Sequence, residues 1–151
     1  MAVDSSTMNQ IAINVFAEMF GLETSVEGNE PIPEGSECYV ASILISGASE
    51  ERLIVEAPIA SANLIAETMF DADAGTLHQD EVRDAIGEVI NMIGGNVKGT
   101  YDDASQLSIP EVTSADCKQS SFGNWINVTV NRLPLTVRWH DVEAESPVTA
   151  C

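Results

Sequence analysis

Apolar residues recur at intervals of three and four between Gln79 and Thr100, which is the spacing of neighbours on one face of an α-helix. They are Val82, Ala85, Ile86, Val89, Ile90, Ile93 and Val97. A pattern this long predicts a helix over Gln79–Thr100 with that face buried. The preceding Thr76-Leu-His-Gln79 has the order of a capping box, so Thr76 and Gln79 are expected to satisfy free backbone groups at the helix start. Such a helix needs an apolar surface to cover its buried face.

Short segments rich in Val, Ile and Leu supply that surface. Six segments are predicted to be strands: Glu23–Glu27, Cys38–Ser46, Arg52–Ala57, Leu107–Thr113, Trp125–Asn131 and Leu135–Val142. Two further helices are predicted, over Thr7–Phe20, with Met19 among its apolar positions, and from Pro58 to about Phe70. This order predicts an α+β fold, a mostly antiparallel sheet of about six strands with three helices packed on one face.

The length of the chain favours one domain. Its 151 residues, of which 44% are hydrophobic, are enough to enclose a single core. We therefore predict one domain over residues 1–142. The segment 143–151 is small, polar and contains Pro147, which favours a flexible C-terminal tail.

The composition excludes several classes of function. With 24 acidic and 6 basic residues the formal charge is −18, so nucleic acid and anionic lipid are not expected partners. The N-terminus lacks a secretory signal and no apolar run could span a bilayer, so we expect a cytoplasmic protein without membrane insertion. Cys38, Cys117 and Cys151 are too dispersed for a disulfide framework, and His78 and His140 lack metal-ligand spacing. We expect reduced thiols, no metal site and no cofactor bound by this chain.

Three polar residues, Asp84, Glu88 and Asn91, fall on the side of the long helix opposite its apolar face. At roughly 100° per residue they lie within about 60° of one another. Spacing alone permits a pair of carboxylates for acid/base catalysis at Asp84 and Glu88. That hypothesis is the less favoured one, because no nucleophile or metal-ligand set accompanies the pair.

Four glycines interrupt the same helix at Gly87, Gly94, Gly95 and Gly99. Each weakens an exposed helix interior by about 1 kcal/mol relative to alanine, so a compensating role is expected. Two explanations stay open: positions without a side chain let a partner approach Asn91, or they serve close packing and the helix end. On the first explanation, Gly87, Gly94 and Gly95 are predicted to bind a partner.

The segment Asp84-Ala-Ile-Gly-Glu88-Val-Ile-Asn91 resembles the Asp/Ser-x-x-x-Glu-x-x-Asn signature of the CheC/CheX/FliY chemotaxis phosphatases and is most similar to that of CheX. The wider order of helices and strands agrees with this family over most of the chain. CheC-like relatives can carry the Glu-x-x-Asn pattern in both halves. Here Ile11 stands three residues before Asn14, where glutamate would be required, so the resemblance implies one site.

The resemblance implies a protein phosphatase that hydrolyses the phospho-aspartate of a CheY-like response regulator. Asn91 would orient the attacking water, Glu88 would dock a lysine of the regulator, and Asp84 would support that contact. The regulator would hold the Mg²⁺ ion, and the phosphatase would be a homodimer. The alternative is a noncatalytic chemotaxis or flagellar adaptor that binds a response regulator through the same helix.

Overall fold

A computed structural model of the protein describes residues 3–101 and 104–145. Its helices are α1 (Ser5–Ala12), which continues as a π-helix over Ile13–Met19, α2 (Ile59–Phe70) and α3 (Gln79–Lys98). The strands are β1 (Thr24–Ser25), β2 (Glu37–Ser46), β3 (Glu50–Pro58), β4 (Gln106–Leu107), β5 (Glu111–Asp116), β6 (Asn124–Val130) and β7 (Leu133–Asp141). A 3₁₀ turn, Val142–Ala144, follows β7. Within the two described ranges, every helix is too short or too polar to span a lipid bilayer.

The strands form one antiparallel sheet in the order β1-β6-β7-β3-β2-β4, and β5 also pairs with β2. Alternate residues of β2 and β3 are buried, as in a sheet with one face toward a core. Trp139 of β7 is 1% exposed, and its indole N–H donates to the carbonyl of Val3 at 2.9 Å, which ties the N-terminal segment to the sheet. The predicted α+β class, with three helices on a mostly antiparallel sheet, is confirmed.

The predicted strand Leu107–Thr113 is two strands, β4 and β5, which both pair with β2. Pro110 lies between them and has no N–H to donate to a ladder. Ser108 replaces the regular pairing at this point: its N–H donates to the Leu44 carbonyl, and its hydroxyl accepts from the Leu44 N–H, both at 2.9 Å. The sheet therefore has seven strands instead of about six.

The first helix begins where Asp4 accepts a hydrogen bond from the Thr7 N–H at 2.8 Å. Its α-helical part buries Met8 and Ile11, but the chain is π-helical from Ile13 to Met19. A π-helix turns less per residue than an α-helix, so the spacing of an α-helical face no longer applies there. The sequence pattern predicts Met19 on the buried face of this helix. Met19 is instead 61% exposed, so that prediction is wrong.

The cap of α3 also differs from the prediction. His78 is the N-cap residue, and its N–H donates to Glu81 Oε1 at 2.9 Å. Thr76 belongs to the preceding turn, where its hydroxyl donates to the Asp73 carbonyl at 2.7 Å. The predicted box at Thr76 and Gln79 is thus wrong by two residues, because Gln79 is the first helical residue and its cap must directly precede it. The helix ends at Lys98, just before the predicted Thr100.

Two of the three cysteines lie within the described residues. Cys38 and Cys117 are free thiols, buried beside Ile32 in a small second apolar cluster. Burial raises the pKa of the Cys38 thiol to about 12, which suppresses the reactive thiolate. Cys151 lies outside the described residues.

Glu145 lies within the predicted tail, 143–151, and binds two residues of the sheet. Its carboxylate accepts hydrogen bonds from Arg52 and, at 2.8 Å, from His140. The Arg52 guanidinium, and after it His140, lower the pKa of Glu145 from 4.5 to about 2. The rest of the predicted tail, 146–151, lies outside the described residues, so its flexibility stays a prediction.

This lowered pKa makes a pH-dependent contribution to stability. Since the folded pKa is below the unfolded one, the contribution is present above about pH 4.5 and is lost as the pH falls toward about 2. Solvent screens the partly exposed pair, so we expect Glu145→Gln to lower the free energy of unfolding by no more than about 1 kcal/mol at pH 6. The difference should shrink between pH 4.5 and pH 2 in urea unfolding curves. Equal curves for Glu145→Gln and the exposed control Glu143→Gln would show that these contacts contribute nothing.

Candidate functional site

The long helix α3 is held firmly on its inner side. Its buried side chains are those that the spacing predicts, and each is at most 3% exposed: Val82, Ala85, Ile86, Val89, Ile90, Ile93 and Val97. They pack in the main core with residues of β2 and β3, and α3 also contacts the first helix, α2, β4 and β5. A helix fixed on this many sides holds its outer side chains on a rigid support.

The outer side of α3 carries the predicted polar stripe. Asp84 and Glu88 are exposed, Asn91 is half-buried, and Gly95 is exposed one turn further along. Intervals of four, three and four residues keep them on one side over a length of about 16 Å. The structure therefore brings the three predicted polar residues onto one surface, with the amide between two carboxylates and an open glycine.

The side chains of Glu88 and Asn91 make no hydrogen bond or ion pair with any other described residue. Arg83, the cation next to Asp84 in the sequence, lies on the flank of the helix and donates to the Ser114 hydroxyl of β5 at 3.2 Å. It therefore does not pair with the stripe. The amide and the carboxylates are free to meet groups on another molecule.

The glycines divide between the two explanations that the sequence leaves open. Gly87 and Gly94 are buried, and an added Cβ would lie 3.4 Å from Val112 Cγ2 and 3.3 Å from Leu107 Cδ2, respectively. They let the β4–β5 edge approach α3, so the prediction that they contact a partner needs correction: they present no surface to one. Gly95 is exposed and an added Cβ would meet nothing within 4 Å, which leaves it as the open position beside Asn91.

The surroundings of Asp84 and Glu88 do not favour the paired-carboxylate alternative. A carboxyl group that acts as a general acid or base usually lies in a pocket beside the reacting group, and both of these residues are exposed on the outer side of α3. Within residues 3–101 and 104–145, no group of three or more His, Cys, Asp or Glu side chains could hold a metal ion. The stripe is better suited to binding another molecule than to acid/base chemistry of its own.

The first helix does not repeat the stripe. Ile11, at the position of the glutamate, is 5% exposed and belongs to the core. Asn14 is half-buried, and its side-chain oxygen accepts from Gln10 Nε2 at 3.4 Å. Among the described residues the Glu-x-x-Asn arrangement is therefore confined to α3.

A shallow depression, which the sequence pattern does not predict, adjoins the stripe. It lies between the π-helical end of the first helix and the C-terminal half of α3, and it is lined by Met19, Met92, Gly95, Asn96, Gly99 and Thr100. The sequence gives one signal for it, Gly95, which was predicted to bind a partner. Met19 gives no signal, because the apolar spacing of the first helix predicts it to be in the core.

Comparison with known proteins agrees with the signature on α3. The sequence profile of the family described as chemotaxis phosphatase CheX matches residues 39–131, more than half of the chain and including the whole stripe. The chain has no significant match among curated proteins.

Solved structures of this group have the same fold. CheX of Desulfovibrio desulfuricans superposes with a TM-score of 0.67 at 20% identity, covering 91% of this chain and 97% of that one. CheX in a complex with CheY, BeF₃ and Mg²⁺ from Borrelia burgdorferi gives 0.65 at 15% identity, covering 93% and 99%. FliY of Thermotoga maritima gives 0.58 at 12% identity, covering 95% and 93%. With the profile match in place, and with the Glu88-x-x-Asn91 motif inside the matched residues, the chain belongs to the family described as chemotaxis phosphatase CheX.

Proposed function

We propose that this protein is a phosphatase that accelerates hydrolysis of the phospho-aspartate of a CheY-like response regulator. The observation that carries the proposal is the unpartnered Glu88 and Asn91 pair, one turn apart on the outer side of a rigid helix. Membership of the CheX family supports the same chemistry. The related Borrelia burgdorferi protein, which forms a complex with CheY, BeF₃ and Mg²⁺, supports the choice of partner.

In the proposed reaction a water oxygen bonds to phosphorus, and the bond between phosphorus and the aspartyl oxygen breaks. The electron pair of that bond leaves with the aspartate carboxylate, and the protons of the water remain with inorganic phosphate and solvent. An acyl phosphate has a good leaving group, so alignment of the water is the main need. The Asn91 side chain can accept a hydrogen bond from that water through Oδ1 and donate through Nδ2 without adding negative charge.

Glu88 has a docking role in this proposal. Its carboxylate lies one turn before Asn91, so it would meet a lysine beside the phosphorylated aspartate and fix the register of the two proteins. Asp84 lies a further turn along and would add negative charge facing the same cationic surface. The two carboxylates thus orient the partner, while the neutral amide faces the phosphoryl group.

Three further expectations belong to the same proposal. The Mg²⁺ ion would be held by the regulator, since the described part of this chain offers no cluster of metal ligands. The phosphatase would be cytoplasmic, together with its regulator. It would also be a homodimer, which light scattering coupled to size-exclusion chromatography measures directly.

The proposal is tested by mixing the protein with Mg²⁺-loaded, phosphorylated CheY-like regulators and following phosphate release. Faster release than from the regulator alone supports the phosphatase. Binding without acceleration would support the adaptor alternative instead. Absence of both for every regulator of the source organism would refute the proposal.

Charge reversal at Glu88 is expected to weaken docking. Glu88→Lys replaces attraction to the regulator lysine with repulsion, so we expect KM to rise by roughly 30-fold, with a smaller rise for Glu88→Ala. Turnover at saturating regulator should change less, because Asn91 remains in place. Steady-state phosphate release over a range of regulator concentrations separates the two constants.

Glu30→Lys is the matched control for this experiment. Glu30 is exposed in the loop between β1 and β2, and its reversal changes the net charge by the same amount. Its KM should stay within about twofold of the wild-type value at 150 mM salt, where distant charges are screened. Equal effects of the two reversals would mean that overall charge, and not docking by Glu88, governs the interaction.

A further inference from the structure

Met19 is a large apolar side chain in an unusual position. It is the last residue of the π-helical segment Ile13–Met19 and is 61% exposed. The same segment is anchored by Val15 and Phe16, which are both 0% exposed, so the backbone that carries Met19 is fixed to the core. π-Helical turns are rare and often occur at functional sites. An exposed methionine at the end of such a turn is a candidate for contact with another molecule.

Met19 forms one wall of the depression beside the stripe, which has a volume of about 530 Å³. Met92 of α3, which is half-buried, also lines the depression, and Gly95 adds no side chain to it. The polar side chains of the lining already donate within the protein: the Asn96 amide to the Met92 carbonyl at 2.9 Å and the Thr100 hydroxyl to the Val97 carbonyl at 2.7 Å. The lining therefore offers a bound partner mainly methionine thioether and backbone surface. Such a surface adapts to apolar side chains of different shape.

The depression is continuous with the proposed docking stripe. Gly95 belongs to both, and it lies one helical turn, about 6 Å, beyond Asn91. Glu88 lies about one turn before Asn91 on the same side of the helix, in the direction away from Gly95. A partner that places a phosphoryl group at Asn91 and a lysine at Glu88 therefore lies directly beside the depression.

We propose that this depression receives an apolar side chain of the phosphorylated receiver domain, taken from the surface next to its phosphorylation site, and that Met19 thereby determines which regulator is selected. The inference rests on the proposed function. A phosphoryl group and a nearby lysine are features that any substrate of this reaction must offer, so Glu88 and Asn91 recognise what the substrates share. The apolar contact can distinguish one receiver domain from another, because it depends on the size and shape of a single side chain.

The test compares Met19→Ala and Met19→Lys with wild-type protein on two phosphorylated regulators that differ beside the phosphorylation site. We expect KM for the preferred regulator to rise about tenfold in Met19→Ala and further in Met19→Lys. The value of kcat should stay within about twofold, since Asn91 still positions the water. The conservative Met19→Leu should restore KM, and the preference between regulators should fall in the alanine variant. Met19 is exposed, so these variants are expected to fold.

Ile109→Ala and Ile109→Lys are the matched controls. Ile109 is 86% exposed and lines a separate depression with Ser42, Leu44 and Arg52. Its variants should leave KM unchanged. Equal effects at Met19 and Ile109, or a Met19 effect on kcat alone, would overturn the inference. So would conversion of a dimer to a monomer by Met19→Lys, because the depression would then belong to a second copy of this chain. Failure of wild-type protein to accelerate release would instead count against the proposed function itself.

Discussion

Asn91→Ala is expected to remove most of the acceleration of phosphate release, with a fall in kcat of about 100-fold or more. The amide is the only group of the stripe that can both accept from and donate to a water without bringing a negative charge to the phosphoryl group. Binding of the regulator should stay within about twofold, since Glu88 and the apolar depression are unchanged. Stopped-flow decay of the phosphorylated regulator measures the first quantity, and titration with a stable phosphoryl analogue measures the second.

Two variants make this result specific. Asn91→Asp keeps the size of the side chain but adds a negative charge, so its kcat should also fall strongly. Asn14→Ala removes the corresponding asparagine of the first helix, where Ile11 replaces the glutamate, and should leave kcat unchanged. Full activity of Asn91→Ala, or equal losses at Asn91 and Asn14, would contradict the proposed mechanism.

Periodicity was sufficient for most of the fold. The long apolar pattern of α3 begins at Gln79 as predicted, and its buried residues are the expected ones, because burial of one face dominates the energetics of such a helix. The errors occur where a single hydrogen bond decides the local structure. The ladder break at Ser108 and Pro110 and the cap at His78 depend on individual side-chain contacts, which an apolar pattern does not encode.

The polar residues of the site were predictable from the sequence, and its apolar residues were not. Asp84, Glu88 and Asn91 lie on one side because helical spacing fixes their angular positions. Spacing failed at Met19, because the chain changes from α-helix to π-helix before that residue is reached. No hydropathy pattern can specify the role of a glycine, which has no side chain to be buried or exposed.

The second large effect is expected at Gly94, where we predict that leucine lowers the free energy of unfolding by about 3 kcal/mol and the Tm by roughly 10 °C. An added Cβ would already lie 3.3 Å from Leu107 Cδ2 and 3.5 Å from Ile43 Cγ2. The remaining three carbons of a leucine have no free volume between α3 and the sheet, so the helix or the β4–β5 edge must move. Urea and thermal unfolding followed by circular dichroism measure the loss.

The neighbouring residue provides the control, because Gly95→Leu makes the same chemical change on the outer side of α3. An added Cβ there meets nothing within 4 Å, and leucine is the better helix former, so stability should be unchanged or higher by up to about 1 kcal/mol. The same side chain would fill the depression beside Met19, so regulator capture should weaken while the fold is intact. Loss of stability at Gly95, or none at Gly94, would show that the inner and outer sides of α3 are assigned wrongly. Loss of stability at Gly94 together with weaker regulator capture at Gly95 would show that the two glycines have different roles on this helix. Gly94 would serve packing against the sheet, and Gly95 would serve access by the regulator.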